Sequence, residues 1–305
     1  MRVAKAAVTT ATVLGLAIPV HAKGAEPMRL IASTKWRMEY AEDSCELLRE
    51  YGTGNDKVLM AMQQFGPGEY FQLTLVGKPV RTNDETRDIR IRFGPEEWQT
   101  VSHARGRTQD KLPITFVSPK VRFAATKRPE SPNDLQSWLA LASLSPERED
   151  KVTEFQFDAG RGVKNVVVLE LGPMGAPMAA LRKCTDDLLT TWGLNPEKQK
   201  ALIKPATPKS NPWDWMKSLD YPRVPLWSGE RAIINFRLTV DMGGQPTGCH
   251  IQAAVGGPEF GKAVCSKIMQ RASFEPAVNA AGQPVASYFV YTVRFDVPDW
   301  VKKQR

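Results

Sequence analysis

Residues 232–255 have the sequence AIINFRLTVDMGGQPTGCHIQAAV, and their pattern decides the fold of the C-terminal part of the chain. Apolar and polar residues alternate over Ala232–Val240 and again over 248–255, with a glycine-containing turn at 241–244 between them. Alternation with a period of two is typical of a half-buried strand. The stretch therefore predicts an antiparallel hairpin with one face against a core.

A helix and a third strand complete this unit. Gly256-Gly257-Pro258 ends the second strand of the hairpin. Residues 259–271 then predict a helix, and residues 286–297 predict the last strand. The order is ββαβ within residues 230–298. Because all three strands alternate, we expect one face of the sheet to carry the helix.

The residues before this unit predict a β-rich N-terminal domain over residues 23–195. Its predicted strands are 57–65, 70–76, 89–93, 112–123, 153–157 and 166–171, and its predicted helices are 134–144 and 176–192. Short strands separated by glycine and proline turns favour a sandwich or barrel-like sheet. The fold class is therefore α+β, with a β-rich domain followed by a small ββαβ domain.

Residues 196–229 are predicted to be a linker because they are rich in proline and lysine. Proline removes backbone donors and biases the preceding residue toward extended conformations, so a semi-rigid tether is expected. The aromatic residues of this segment are expected to dock on a neighbouring domain rather than to bind a ligand; they are Trp213, Trp215, Tyr221 and Trp227.

Residues 1–22 have the features of a secretory signal peptide. Arg2 and Lys5 precede an apolar stretch, and Val20-His21-Ala22 places small residues at the −3 and −1 positions of a cleavage site before Lys23. The apolar stretch is shorter than the ~20 residues of a spanning helix, which disfavours an uncleaved inner-membrane anchor. We therefore expect export to the periplasm.

Export to an oxidising compartment gives the four cysteines a structural role, and four cysteines allow three pairings. Cys249 and Cys265 lie on a strand and a helix that are predicted to pack together. Cys45 and Cys184 then pair by elimination and by membership of the N-terminal domain. Free buried cysteines are the alternative.

Composition and motifs give little support for catalysis, cofactors or nucleic-acid binding. The net charge of +8 is modest for 305 residues, whereas nucleic-acid binding requires a concentrated basic face. Gly256 and Lys262 fit a phosphate-binding loop, but Ala263 lacks the hydroxyl that such a loop needs. His103, in a predicted polar loop, and His250 are the only histidines after cleavage, which disfavours a zinc site or a Ser–His hydrolase. The alternative is an envelope hydrolase whose site lies in the N-terminal domain.

A set of short motifs follows the order of one known family. These motifs are Tyr221-Pro222 before the first strand, Leu238-Thr-Val-Asp241 leading to Gly244, Phe274-Glu-Pro276 after the helix, and Gly282-x-Pro-Val285 before the last strand. In their order and spacing they resemble the C-terminal domain of the TonB family of energy transducers. The resemblance covers about the last quarter of the chain.

The resemblance implies a three-stranded antiparallel sheet whose edge pairs with short peptide segments of outer-membrane receptors. A small sheet has edge strands with unpaired backbone groups, and Ser287–Phe295 is the candidate here. The predicted partner-binding residues are Tyr221, Pro222, Tyr288, Val290, Thr292 and Arg294. Two alternative occupants of the edge are the proline-rich linker and a second copy of the protein in a homodimer.

The chain departs from an energy transducer in three respects. Its N-terminus is predicted to be cleaved, a β-rich domain intervenes, and the proline-rich segment is short. Without an anchor no force could be applied to a receptor. The sequence therefore favours a non-enzymatic periplasmic binding protein over a membrane-anchored TonB-type transducer.

Cleavage of residues 1–22 separates these two hypotheses. N-terminal sequencing of the protein from the periplasmic fraction is expected to begin at Lys23. A membrane-bound protein that still begins at residue 1 would instead support the anchored transducer.

Overall fold

The computed structural model describes residues 26–84, 87–124, 144–160 and 165–302. The predicted signal peptide at 1–22 and all but the last residue of the predicted helix at 134–144 lie outside the described residues. Within the described ranges, each helix is too short or too polar to cross a bilayer.

The described residues contain eighteen strands and six α-helices, together with short 3-10 turns. The strands are β1 (Met28–Leu30), β2 (Arg37–Tyr40), β3 (Cys45–Tyr51), β4 (Val58–Gln64), β5 (Phe71–Val76), β6 (Ile89–Phe93), β7 (Gln99–Val101), β8 (His103–Arg107), β9 (Pro113–Val121), β10 (Glu154–Asp158), β11 (Val167–Glu170), β12 (Thr207–Pro208), β13 (Ala232–Val240), β14 (Pro246–Val255), β15 (Phe274–Glu275), β16 (Ala277–Val278), β17 (Pro284–Val285) and β18 (Ser287–Phe295). The helices are α1 (Pro146–Asp150), α2 (Gly175–Thr191), α3 (Pro196–Lys200), α4 (Arg223–Ser228), α5 (Pro258–Arg271) and α6 (Asp299–Lys302). The 3-10 turns are Gly54–Asp56, Lys78–Val80, Pro212–Trp215 and Ser218–Asp220.

The N-terminal domain consists of two sheets that share one hydrophobic core. One sheet has the order β1-β11-β10-β6-β7, and the other has the order β2-β3-β4-β5-β9-β8. Phe71 of the second sheet meets Phe93 of the first, with 5.8 Å between the ring centroids. The predicted β-rich domain is thus confirmed, and of the two expected arrangements, a sandwich or a barrel-like sheet, it has two packed sheets.

Alternation explains how the strands of this domain contribute to the core. In β6, Ile89, Ile91 and Phe93 are buried, whereas Arg90 and Arg92 lie on the other face beside the ring of Trp98. Side chains of successive strand residues point to opposite faces, so the sequence IRIRF buries its apolar half only.

The C-terminal domain has the predicted ββαβ order. Its sheet has the order β14-β13-β18, and α5 packs on the face that carries Ile234, Phe236 and Leu238. Gly244 closes the β13–β14 hairpin with φ +79, and its carbonyl accepts a 2.8 Å hydrogen bond from Phe274 N. A Cβ at this position would lie 2.0 Å from the carbonyl oxygen of Phe274, so the turn requires glycine.

Residues 196–229, which the proline content predicts to be a tether, are folded against the C-terminal domain. Ala206, Trp215 and Tyr221 belong to the core of that domain, and β12 pairs with β15. Proline fits the first turn of a helix, and Asn195 caps α3 by accepting a hydrogen bond from Lys198 N. Proline here begins short helices instead of keeping the segment extended.

Both predicted disulfides are present. Cys45 of β3 is bonded to Cys184 of α2, and Cys249 of β14 is bonded to Cys265 of α5. Each bond joins a strand to a helix within one domain, and the sequence separations are 139 and 16 residues.

Removal of either disulfide should lower the free energy of unfolding by an amount that increases with the logarithm of the length of the loop it closes. We expect Cys249→Ala/Cys265→Ala to cost about 3 kcal/mol and Cys45→Ala/Cys184→Ala to cost about 5 kcal/mol, because a longer loop gains more entropy in the unfolded state. Urea denaturation followed by tryptophan fluorescence measures both values. Equal stability of the wild type and either variant would contradict this account.

Candidate functional site

Strand β18 lies at an edge of the C-terminal sheet. It pairs with β13 over its whole length, from Ser287 opposite Val240 to Phe295 opposite Ala232, without a register shift. No other strand of the described residues pairs with β18. In contrast, the pairing of β14, at the opposite edge, has two register shifts. Bulges discourage the addition of a further strand, so β18 is the more regular template of the two edges.

One face of β18 belongs to the core of the C-terminal domain. Phe289 and Tyr291 lie on this face, and the ring of Trp215 packs against them with centroid distances of 5.7 and 6.5 Å. Trp215 is 1% exposed, and its Nε1 donates a 3.0 Å hydrogen bond to Ser210 Oγ. The docking expected for the aromatic residues of this segment is thus present for Trp215, whereas Trp213 and Trp227 are 77% and 57% exposed.

The other face of β18 is directed toward the N-terminal domain, and it carries Tyr288, Val290, Thr292 and Arg294. The ring of Tyr288 lies 5.2 Å from that of Trp192, which follows α2. Thr292 Oγ1 donates a 2.6 Å hydrogen bond to Asn235 Oδ1. These predicted partner-binding side chains are therefore half-buried between the domains. A partner contact for them stays a prediction.

Gly66 allows close packing at this interface. A Cβ at Gly66 would lie 3.1 Å from Trp192 Cη2 and 3.2 Å from Val290 Cγ2. The ring of Trp192 also lies 4.5 Å from the guanidinium of Arg237, a cation–π contact. Burial lowers the pKa of Arg237, which nevertheless stays charged at neutral pH.

Polar contacts extend the interface across the sheet. Asn235 Nδ2 donates to Gln72 Oε1 at 3.3 Å, and Gln252 Nε2 donates to the carbonyl oxygen of Phe65 at 2.7 Å. His250 Nε2 lies 2.7 Å from Asp43 Oδ2. The C-terminal sheet therefore has α5 on one face and the N-terminal domain on the other. Its backbone remains available at its two edges, of which β18 is the more regular.

Tyr221 is part of the core near this edge. It is 7% exposed, its ring packs on Phe260 and Phe295 at 5.5 and 5.3 Å, and its hydroxyl donates to the carbonyl of Glu230. Burial raises the pKa of Tyr221, so the hydroxyl stays protonated. Pro222 is the N-cap residue of α4. Partner binding by Tyr221 and Pro222 stays a prediction.

An ion pair holds the turn that precedes Tyr221. Asp220 Oδ1 accepts a 3.1 Å hydrogen bond from Arg271 Nη2, and Asp220 Oδ2 accepts a 2.7 Å hydrogen bond from Lys217 N. Arg271 Nη1 also donates to the carbonyl oxygen of Trp215 at 2.8 Å. The end of α5 thus positions both Trp215 and Tyr221. Hydrogen bonding from Arg271 lowers the pKa of Asp220.

His103 lies in strand β8, not in the polar loop that the sequence suggests. It is fully buried, and its Nε2 is 2.8 Å from Thr82 Oγ1. Burial lowers the pKa of His103, and the nearby cations Arg294 and Arg105 lower it further. Over the ranges that the structure describes, His, Cys, Asp and Glu side chains form no cluster suited to a metal ion.

The sequence patterns did not predict which residues make the contacts between the two domains. Trp192, Gly66, Asn235 and Arg237 had no distinguishing local pattern: Trp192 continued the apolar stripe of α2, and Arg237 occupied an ordinary polar position of a half-buried strand. One signal was present, because Asn235 interrupts the apolar run Ile233, Ile234, Phe236 of β13.

Comparison with known families agrees with this geometry. Residues 217–297 match the family model of the Gram-negative bacterial TonB protein C-terminal. The match includes Tyr221, α5 and the whole β14-β13-β18 sheet. None of the curated proteins searched matches the chain. The resemblance inferred from the motifs is thereby confirmed for the C-terminal domain. A TonB-type domain implies a location in the cell envelope, where such domains generally interact with proteins.

Asp220→Asn is expected to destabilise the protein in a pH-dependent manner. The pKa of Asp220 is lower in the folded than in the unfolded state, so its contribution is present above about pH 4 and is lost as the pH falls through the folded-state pKa. At pH 7 we expect the substitution to lower the free energy of unfolding by about 1–2 kcal/mol, which is the range for a charged hydrogen bond at a partly exposed pair. Urea denaturation at pH 7 and pH 3 should show a smaller difference between variant and wild type at pH 3. A constant difference would exclude the ionised carboxylate as its cause.

Proposed function

We propose that the protein is a non-enzymatic envelope protein that captures an extended peptide segment of a protein partner along the free edge of β18. A single observation carries this proposal: a regular strand of nine residues has one neighbouring strand and an unpaired second edge within the described residues. The TonB-type domain supports it, because such domains interact with envelope proteins.

The backbone of β18 supplies the binding groups. Successive residues of an antiparallel strand direct their N–H and C=O groups to alternate sides, so about half of the nine residues present both groups at the free edge. A peptide that pairs with them obtains affinity from the backbone and specificity from alternate side chains. Such binding requires little rearrangement, because β13 already holds β18 along its whole length.

The surroundings of the edge favour a peptide with alternating apolar side chains. Tyr291 lies on one face of β18 and Tyr288 lies on the other, and both are half-buried, whereas Trp215 next to Tyr291 is buried. Burial raises the pKa of both tyrosines to about 12, so these rings remain neutral at physiological pH. Alternate side chains of a captured strand would extend toward one tyrosine and then toward the other.

The positions of the two histidines support a non-enzymatic role. His250 bridges to Asp43 across the domain interface, and His103 is buried against Thr82. Hydrolysis by a hydroxyl or thiol nucleophile needs an adjacent base that substrate can reach. His103 is out of a substrate's reach, whereas the side chain of His250 is 49% exposed and its ring is hydrogen-bonded to the Asp43 carboxylate rather than to a hydroxyl or thiol.

Two adjacent proline substitutions test the capture mechanism. Thr292→Pro and Val293→Pro each remove one N–H, and because these N–H groups point to opposite sides, one belongs to the ladder with β13 and the other to the free edge. We expect one variant to lose stability and the other to melt within a few degrees of the wild type while losing at least tenfold in peptide affinity. Circular dichroism gives the melting temperatures, and fluorescence anisotropy gives affinities for short synthetic peptides from outer-membrane receptors.

Thr292→Ala and Val293→Ala serve as controls for the loss of each side chain. The proposal fails if the stable proline variant binds the peptides as tightly as its alanine control. Sedimentation velocity tests the second-copy alternative: a wild-type dimer that the stable proline variant converts to a monomer would assign the edge to self-association.

A further inference from the structure

The N-terminal domain has a cleft of about 560 Å³ with a concentration of positive charge. Its walls are the 3-10 turn Lys78–Val80 with the residues that follow it, strand β8 and the β8–β9 turn. Five cations line this basic cleft: Lys78, Arg81, Arg105, Arg107 and Lys111. The described residues that line it include no carboxylate.

Among the residues that the structure describes, these cations have no carboxylate partner, whereas neighbouring cations do. Nearby Lys57 pairs with Glu50 at 2.9 Å, and Arg87 pairs with Asp84 at 3.3 Å. No ion pair is formed by the five cations of the basic cleft within the ranges that the structure describes. Like charges gathered in one cleft repel one another, so an anion bound there would relieve the repulsion.

Backbone carbonyl oxygens position two of the cations and leave most of their donors free. Arg105 Nη1 donates to the carbonyl of Asn83 at 3.3 Å, and Arg107 Nη1 donates to the carbonyl of Lys111 at 3.2 Å. Arg105 and Arg107 are two residues apart on β8, so their side chains leave the strand on the same face. Each guanidinium has five N–H donors in a planar fork that matches phosphate oxygens.

Lys111 has an unusual backbone conformation for a lysine. Its φ of 63 is positive, and it is the one residue other than glycine with this property among the described residues. The left-handed region favours glycine or asparagine in such turns. Strain at one residue is typical of functional sites, and here it places a cation on the wall of the basic cleft.

We propose that the basic cleft binds a phosphate ester, either a soluble sugar phosphate or the phosphorylated headgroup of an envelope lipid. A phosphate monoester carries about −1.5 to −2 charges at pH 7. A ligand with two phosphates would therefore neutralise most of the charge of the five cations, whereas two carboxylates would neutralise less than half of it. A cleft of about 560 Å³ lies within the size range of small-molecule sites. This site is independent of strand capture at β18.

Isothermal titration calorimetry with three probes tests the proposal. The first probe is fructose 1,6-bisphosphate, with fructose as its uncharged control. The second is phosphatidylcholine vesicles that contain phosphatidic acid, with phosphatidylcholine vesicles alone as the control. The third is hexaglutamate, an anion with carboxylates in place of phosphates. The test variant is Arg105→Gln/Arg107→Gln, and the matched control is Lys198→Gln/Lys262→Gln, which removes two exposed cations outside the cleft. We expect at least one phosphate probe to bind the wild type and the control equally and the test variant at least tenfold more weakly.

The bisphosphate and vesicle results identify the source of the phosphate, and binding of either supports the site. The proposal is overturned if neither phosphate probe binds, if the control loses as much affinity as the test variant, or if hexaglutamate binds as tightly as the phosphate probes. Lys111→Gly gives a second test, because glycine tolerates the positive φ. It should keep or raise the melting temperature while weakening phosphate binding severalfold, whereas a merely structural lysine would leave binding unchanged.

Discussion

The ring of Trp192 occupies the space between the two domains, where it meets Tyr288 and the guanidinium of Arg237. This contact determines what the C-terminal sheet can do. A sheet of three strands is ordinarily covered by its helix on one face and open on the other. Here the second face is covered by the N-terminal domain, so side chains on both faces of β18 are held in place before any partner arrives. Side chains that packing has already ordered lose little further conformational entropy when a partner binds, which favours affinity.

The N-terminal domain therefore helps to position the strands of the C-terminal sheet. Asp43 and Gln72 contact strands β14 and β13, and Gly66 lies against Val290 of β18. Rotation of one domain on the other would break hydrogen bonds at one side of the interface and the aromatic contact at the other. We expect the two domains to move as one body for this reason.

The sequence predicted the elements of the fold better than the contacts between them. Strand β6 and helix α2 were found at nearly the observed bounds, because each has a clear period of apolar residues. Strand β3, CELLREY, was missed because its charged residues interrupt the alternation, and its burial depends on neighbours from both sheets. His103 was assigned to a loop for a similar reason: glycine and arginine dominate β8, and only tertiary packing buries the imidazole.

The same limit explains the proline-rich segment and the candidate site. Local rules for proline predict an extended chain, but they do not include the gain from burying Trp215 and Tyr221 against a sheet. The edge position of β18 followed from the small size of the sheet and from the family resemblance. Its second face could not be foreseen, since Trp192 and Tyr288 are 96 positions apart and no local pattern links them.

The position of β18 along the chain has a consequence for biosynthesis. A chain is made from its N-terminus, and domains generally fold in that order. Strand β13 is completed well before β18, its neighbour in the sheet, and until β18 is made β13 is itself an unprotected edge. A chain that ends between these two strands would therefore leave β13, instead of β18, as the strand open to pairing.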